Sequence, residues 1–323
     1  MKVFVTCPLP GDAIERIERA CDVVVGEPAR GVRSEAFTKD AASFEAILAL
    51  LTDAIDEPLL ERCPRVRLVA NMAVGVDNVD LRACHARGVV VTNTPGVLTE
   101  ATADLAFALM LAAARRVVEG DGIVRRGDFP GWTPTTLLGA PVHGATLGIV
   151  GLGRIGQAVA RRARGFGMHV CYTQRTRLDE KLERALGASF ATIDEVFSGC
   201  DFVSIHCPLT PETHHIASRA RIASMKPGSV LINTARGPCV DEVALAEALE
   251  KGPLAAAGLD VFEREPEVDA RLRARTNAVL TPHIGSADRR TRAAMAALAA
   301  DNVIAFARGE PLLTKVEATE SKG

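Results

Sequence analysis

The chain has 323 residues, 48% of them hydrophobic and 24% charged, with a net charge of −2; that length suffices for two domains with substantial cores. The charge balance offers no general attraction for nucleic acid or an anionic membrane. The opening MKVFVTCPLP lacks a basic stretch leading into a long apolar one, and the longest apolar run, 105–114, is too short to cross a bilayer, so a cytoplasmic protein is expected.

Strand and helix patterns alternate throughout. KVFVT (2–6), DVVVG (22–26), AILAL (46–50), VRLVANM (66–72) and VVVTN (89–93) read as short buried strands, with helical patterns such as GDAIERIERA (11–20) and VDLRACHARG (79–88) between them. A long helical segment, ATADLAFALMLAAARRV (101–117), opens a second series of strands: ATLGIVG (145–151), HVCYT (169–173), DFVSIHC (201–207), SVLINTA (229–235), AAAGLDVF (255–262) and AVLTPH (278–283). The last helical pattern, 287–309, stops at a glycine, and a short polar tail begins at about Thr314. Such alternation predicts an α/β protein with parallel sheets covered by helices on both faces. Eight cysteines (Cys7, Cys21, Cys63, Cys84, Cys171, Cys200, Cys207, Cys239) occur singly without a C-x-x-C pair; they are expected to be reduced core thiols, with no metal site.

GLGRIG (151–156) carries the first chemistry. A strand, TLGIV, leads into it; Ile155, Val159, Ala163 and Phe166 follow at helical spacing, Gly167 stops the helix, and a second strand comes next. In that setting Gly151 makes the tight turn, Gly153 admits a pyrophosphate, and Gly156 lets helix and sheet approach. The backbone of Leu152, Arg154 and Ile155 opens the helix whose N-terminus favours phosphate. An ordinary strand–helix turn is the plainer alternative, and the full β–α–β context weighs against it. Because the fingerprint lies in the second series, the domains are expected to be nested: 1–95 with 285–323 as a substrate-binding domain, and 96–284 as the dinucleotide-binding domain.

The second strand ends in CYTQRTR (171–177), where an acid for the adenosine ribose is usual. Gln174 stands there instead, followed by Arg175, Thr176 and Arg177. An acid would repel a 2′-phosphate; a glutamine does not, and Arg175 offers a guanidinium fork suited to one, with Arg177 as a possible second charge. NADP(H) is therefore the preferred cofactor. NAD(H) stays open, since exposed arginines are common and Asp179 or Glu180 could fold back onto the ribose.

Three further residues each follow a strand: Arg236 after SVLINTA, Glu265 just past GLDVF, and His283 after VLTP. Ligands of parallel sheets gather beyond the carboxyl ends of strands. Taken singly, these residues would be a surface charge, a loop acid and a loop histidine. Together with VGVDNVD (74–80), GLGRIG, CPLTPET (207–213), INTARG (232–237), AGLDVFEREP (257–266) and TPHIGS (281–286), they make a chain that resembles, over nearly its whole length, the D-isomer-specific 2-hydroxyacid dehydrogenases. It looks most like the family's glyoxylate/hydroxypyruvate reductases.

The resemblance implies two Rossmann-like or flavodoxin-like parallel-sheet domains with an interdomain cleft, a small 2-oxoacid substrate and a homodimer, with helix 101–117 and the following arm supplying the contact. It implies Arg236, Glu265 and His283 as the catalytic arginine, acid and histidine. The cofactor-binding set becomes Gly151, Leu152, Gly153, Arg154, Ile155, Gly156, Gln174, Arg175, Thr176, His206, Pro208, Thr213, Thr234, Ala235, Arg236, Asp260, His283 and Gly285. Val74 and Gly75 would hold the substrate carboxylate through backbone amides, beside Arg236 and His283. The residue types suit hydride transfer to a ketone, where a histidine quenches the growing oxygen charge, an acid orients it and an arginine polarises the carbonyl.

Phosphite dehydrogenases of this fold carry a lysine where Val74 stands, formate dehydrogenases an amide in place of Glu265, and phosphoglycerate dehydrogenases often extend into regulatory domains. A dinucleotide-sensing corepressor-like binding protein is the alternative from another class. His85, His143, His169, His214 and His215 carry no expected role, while His206 lines the cofactor side without reacting. Trp132, in GDFPGWTP, is expected in a core or a subunit contact, with a substrate role as the weaker alternative.

Overall fold

The structure is a computed structural model that describes residues 1–28 and 30–317; residues 318–323, which end the polar tail and the expected range 285–323, lie outside the described residues. The chain forms two compact units, Met1–Leu98 with the segment from Ser286 onward, and Thr99–Gly285. The sequence reading set these boundaries at 95/96 and 284/285.

The first unit has five strands, β1 (Lys2–Val5), β2 (Asp22–Val25), β3 (Ala46–Ala49), β4 (Leu68–Asn71) and β5 (Val90–Thr92), and helices α1 (Ala13–Glu18), α2 (Glu35–Asp40), α3 (Glu57–Arg62) and α4 (Leu81–Ala86). All pairings are parallel, in the order β2-β1-β3-β4-β5. The interior strands β3 and β4 are buried along their whole length, whereas edge strand β2 begins exposed at Asp22. That is why AILA and LVAN are continuous apolar runs rather than alternating ones. Ser34, Asp56 and Asp80 start α2, α3 and α4 by accepting from a backbone N–H three residues on. One face of the sheet packs on Phe4, Phe37 and Phe44, whose ring centroids lie 4.9–5.7 Å apart.

The second unit has seven strands, β6 (Thr146–Val150), β7 (His169–Thr173), β8 (Ala188–Phe190), β9 (Phe202–Ile205), β10 (Ser229–Asn233), β11 (Leu254–Leu259) and β12 (Ala278–Leu280). Its helices are α5 (Thr99–Ala114), α6 (Val117–Arg125), α7 (Arg154–Gly165), α8 (Glu180–Leu186), α9 (Ile193–Gly199), α10 (Arg219–Ser224), α11 (Glu242–Lys251) and α12 (Ala270–Arg273). The strands are all parallel in the order β12-β11-β10-β9-β6-β7-β8. Residues of α5 and α7 build the core on one face, and α9, α10 and α11 the core on the other. The order reverses between β6 and β9, and in such sheets the crevice outside the carboxyl ends at that point takes the ligand. The last helix, α13 (Arg289–Arg308), belongs to the first unit, where it lies against α1, β3 and β4.

The structure departs from the sequence reading in detail. The helix expected over 101–117 stops at Ala114, and Arg116, at φ 53°, separates it from α6. β8 was not expected; it is three residues long with Ser189 and Phe190 exposed, too short for a period to show. Strands expected to run through 235, 262 and 283 end at Asn233, Leu259 and Leu280. The residues beyond them are loops, buried at Thr234 and from Asp260 to Phe262, which read as strand in an apolar pattern. Among the described residues no helix is long and apolar enough to cross a membrane.

Candidate active site

β6 delivers the glycine loop. Gly151 has φ 94°, and a Cβ there would lie 2.8 Å from the Cys207 nitrogen. At Gly156 a Cβ would meet the Gly151 carbonyl oxygen at 2.2 Å, so α7 can cross the loop this closely only with glycine there. Gly153 differs. It caps α7, and a Cβ on it would meet nothing within 4 Å. The open space there faces the first turn of α7, through Arg154, Ile155 and Gly156, whose N–H groups lack intrahelical partners. Thr234, after β10, buries its Oγ1 without a hydrogen-bond partner among the described residues. An open helix N-terminus with an orphaned hydroxyl on a nearby strand end fits a phosphate-bearing dinucleotide.

The loop after β7 is held from both sides. Gln174 accepts from the Leu152 N–H through Oε1 (3.0 Å) and donates through Nε2 to the Thr176 carbonyl (2.6 Å). Arg175 is exposed and makes no ion pair among the described residues; its charge helps hold the Glu212 carboxyl below the usual range, after hydrogen bonds from Thr210 and the backbone. Arg177 is not a spare charge. It forks onto both oxygens of Glu183 at 2.8 Å, and Glu183 also accepts from the Tyr172 hydroxyl at 2.7 Å. These hydrogen bonds, Arg177 first, hold Glu183 down at about 2. Asp179 caps α8 and Glu180 pairs with Arg184, so neither acid turns back toward the ribose position.

After β9, His206 Nε2 lies 2.8 Å from the Ser204 hydroxyl. Its ring is crowded enough that desolvation pushes its pKa down to about 4, although the residue as a whole is only half-buried. It is therefore neutral near pH 7 and unsuited to carrying a proton there. Thr213 braces the following loop, accepting from the Thr210 N–H (2.7 Å) and donating to the Pro208 carbonyl (2.6 Å).

The three residues expected to react follow adjacent strands. Arg236 follows β10, in a turn fixed by Asn233, which donates to the Arg236 carbonyl (2.8 Å) and accepts from the Ala235 N–H (3.0 Å). Glu265 follows β11 and His283 follows β12, and His283 Nδ1 lies 2.9 Å from Glu265 Oε2. An ionised carboxylate only accepts, so Nδ1 carries the hydrogen in this bond. The opposite ring nitrogen, Nε2, has no partner among the described residues. The other Glu265 oxygen accepts from the Phe262 N–H at 3.0 Å. Burial pushes Glu265 upward, but the hydrogen bond and charge of His283, the Phe262 N–H and the charge of Arg236 outweigh it and hold the carboxyl below the usual glutamate range. The pair's contribution to stability is thus present above that range and is lost as pH falls through the folded-state value.

Asp260 organises this end. Its carboxylate accepts from Thr281 Oγ1 (2.6 Å), the Ile284 N–H (2.8 Å) and the Gly285 N–H (2.7 Å), and its carbonyl accepts from the His283 N–H (2.8 Å). His283 is held at φ 54° by this turn.

The first unit carries Val74 and Gly75, in the loop after β4. Asn93 donates to the Val74 carbonyl (2.8 Å) and Asn71 to the Gly75 carbonyl (3.0 Å), while Asn71 and Asn78 bond each other. With both carbonyls taken by side-chain amides, the N–H groups of 74 and 75 are left without a partner among the described residues. Asn71, Asn78 and Asn93 were not singled out in the sequence; three asparagines near one loop were the available signal. His215, given no role above, pairs with Glu263 at 2.7 Å. Trp132 is 81% exposed, which removes the core alternative for it.

Fold and site together are those of a dinucleotide-dependent dehydrogenase. The family model for the NAD-binding domain of D-isomer specific 2-hydroxyacid dehydrogenases matches residues 107–285. The glyoxylate reductase of Thermococcus litoralis is 48% identical over 317 residues, covering 96% of this chain and 94% of the relative. That of Pyrococcus furiosus is 48% identical, covering 96% and 93%. Among solved structures, a protein of Thermus thermophilus superposes with a TM-score of 0.91 at 46% identity, covering 98% of this chain and all of that one. An NADPH-dependent glyoxylate/hydroxypyruvate reductase of Sinorhizobium meliloti, in complex with NADP and malonate, does so with 0.86 at 34% identity, covering 98% and 96%. The chain belongs to the D-isomer-specific 2-hydroxyacid dehydrogenase family, and is an NAD(P)-dependent dehydrogenase.

The two glycines that differ in surroundings should differ in effect. Gly153→Ala should leave the thermal midpoint unchanged and raise KM for the cofactor several-fold, whereas Gly156→Ala should lower the midpoint by several degrees. Thermal scans and initial-rate kinetics of both variants check this.

Proposed function

We propose that this enzyme reduces a small 2-oxoacid, glyoxylate or hydroxypyruvate first, to the 2-hydroxyacid with NADPH. The observation that carries the reading is the 2.9 Å contact of His283 with Glu265, beside Arg236, on three adjacent strand ends. When bound, the cofactor supplies the hydride to the carbonyl carbon. His283 gives the carbonyl oxygen a proton from Nε2, the ring nitrogen turned away from Glu265. Glu265 keeps the imidazole oriented and compensates its charge. Arg236 polarises the carbonyl and pairs with the substrate carboxylate.

The preference for NADPH rests on three features. Gln174 places an amide, not an acid, at the ribose position; Arg175 is exposed without an ion pair among the described residues; and the acids Asp179 and Glu180 are engaged within α8. The Sinorhizobium meliloti relative was solved with NADP bound.

A homodimer belongs to the same reading. Among the described residues, six of the eleven exposed large hydrophobics lie between 117 and 138, namely Val117, Val118, Val124, Phe129, Trp132 and Leu138. A cavity of about 960 Å³ opens beside them, lined by Ala112, Val118, Leu138, Pro141 and Phe202 among others. Light scattering should give twice the 34.2 kDa chain mass, and Trp132→Glu should shift it toward one chain.

His283→Ala should lower kcat for reduction by about 100-fold or more, the usual scale of general acid catalysis, while NADPH binding followed by fluorescence survives. Wild-type reduction consumes a proton and should weaken toward alkaline pH, while oxidation releases one and should strengthen. On the acid side, reduction should hold to below the ordinary glutamate range, because Glu265 stays ionised there. Unaltered turnover in His283→Ala would refute the acid assignment. If NADPH binds but neither glyoxylate nor hydroxypyruvate consumes it, the substrate assignment falls.

Arg175→Ala should raise KM for NADPH about tenfold, the loss of roughly one charge-assisted hydrogen bond, and leave that for NADH nearly unchanged. A wild type that prefers NADH would end the NADP assignment.

A further inference from the structure

Cys171 on β7 and Cys200, just past α9, bring their sulfurs to 3.0 Å although they are 29 residues apart in the chain. A disulfide requires about 2.05 Å, so the two need approach by only about 1 Å more. The strand between them makes this possible. Gly148 of β6 is in register with Cys171 on one side and Val203 on the other. A Cβ at 148 would stand 2.9 Å from the Cys200 sulfur and 2.7 Å from Val196 Cγ1. The missing side chain is the space in which the Cys200 thiol reaches across to Cys171.

The pair is also chemically asymmetric. Cys200 is buried at 1% exposure, while Cys171 keeps an intermediate exposure. The hydrogen bond from Cys200 holds the Cys171 thiol below its ordinary pKa, against the effect of burial; the same bond and burial push Cys200 up. Cys63 and Cys84 have no such partner among the described residues, and burial pushes each up to about 11, the behaviour of an inert core thiol.

We propose that Cys171 and Cys200 are a redox-active dithiol that closes to an intrachain disulfide when the enzyme meets hydrogen peroxide. The Cys171 thiolate attacks one peroxide oxygen; the O–O bond breaks and hydroxide leaves, taking up the proton that Cys171 had released to become water. Cys171 is then a sulfenic acid. The Cys200 sulfur attacks the Cys171 sulfur, the S–O bond breaks, and hydroxide leaves with the Cys200 proton as a second water. Two thiols are oxidised, one peroxide is reduced, and no other reactant is needed. The product ties β7, whose carboxyl end carries Gln174 and Arg175, to the junction of α9 and β9. Closing that loop restricts the unfolded chain and raises thermal stability.

The test uses the full-length enzyme, treated with hydrogen peroxide, alkylated, and digested without reduction for mass spectrometry. Expected are a cross-linked species joining the Cys171 and Cys200 peptides, two fewer titratable thiols in the denatured protein, and a thermal midpoint higher by several degrees, all reversed by dithiothreitol. In Cys200→Ser, peroxide should leave Cys171 as a sulfenic acid trapped by dimedone. Recovery of both residues as alkylated thiols after peroxide overturns the proposal. So does a cross-link confined to Cys207 and Cys239, a second hydrogen-bonded pair in which the bond, and then burial, push Cys207 up. The peptide map is read on wild type, so it stands even where a variant folds poorly.

Discussion

Asp260 ties three loops of the second unit into one surface. Its backbone N–H donates to the Asn233 carbonyl at the end of β10, its own carbonyl accepts from His283, and its carboxylate gathers Thr281, Ile284 and Gly285. Burial pushes the carboxyl above the ordinary aspartate range, and the three donors work in the opposite direction. A buried carboxylate of this kind is tolerable only because every donor around it is aimed inward. The left-handed backbone of His283 is the conformational cost, and a turn braced at four points can sustain it. The orientation of the imidazole toward Glu265 follows from that turn, so the geometry of the acid pair is set one layer below the groups that form it.

The same economy governs the loop after β7. Tyr172 is completely buried and needs a partner for its hydroxyl. It finds Glu183 on α8, and the Leu178 N–H donates to the hydroxyl in turn. Glu183 then captures Arg177, whose guanidinium also lies over the Phe190 ring, 5.8 Å from its centroid. One arginine of the pair in QRTR is thereby spent on structure. The other, Arg175, remains exposed, and the chemical identity of the loop reduces to Gln174 and Arg175.

Arg236, Glu265 and His283 could be singled out in the sequence because each follows an apolar run that reads as a buried parallel strand and sits in one of a set of recognisable motifs; the structure adds the contact of His283 with Glu265. GLGRIG was legible for the same reason: a strand before it and a helical period after it. What could not be read were features that depend on contacts between distant segments. Arg177 looks like a phosphate ligand in the sequence, and only the position of Glu183 one helical turn beyond Asp179 removes it. The amides of Asn71 and Asn93 reach the carbonyls of Gly75 and Val74 across several residues of chain, a pairing no local pattern announces. β8 and the break at Arg116 are too short to carry a period at all.

Cys171 belongs with these. As one of eight scattered cysteines it reads as an inert core thiol, and nothing in its immediate sequence separates it from the other seven. Its difference arises from three unrelated local facts: a strand position two residues inside the carboxyl end of β7, a glycine in register on the neighbouring strand, and a second cysteine where α9 gives way to β9. Remove any one and the sulfurs no longer meet. The packing that brings them to 3.0 Å also keeps one of them from solvent, so the thiol that reacts and the thiol that resolves are distinguished by burial rather than by residue type. Proximity and asymmetry thus come from the same packed sheet that brings the ends of β10, β11 and β12 side by side.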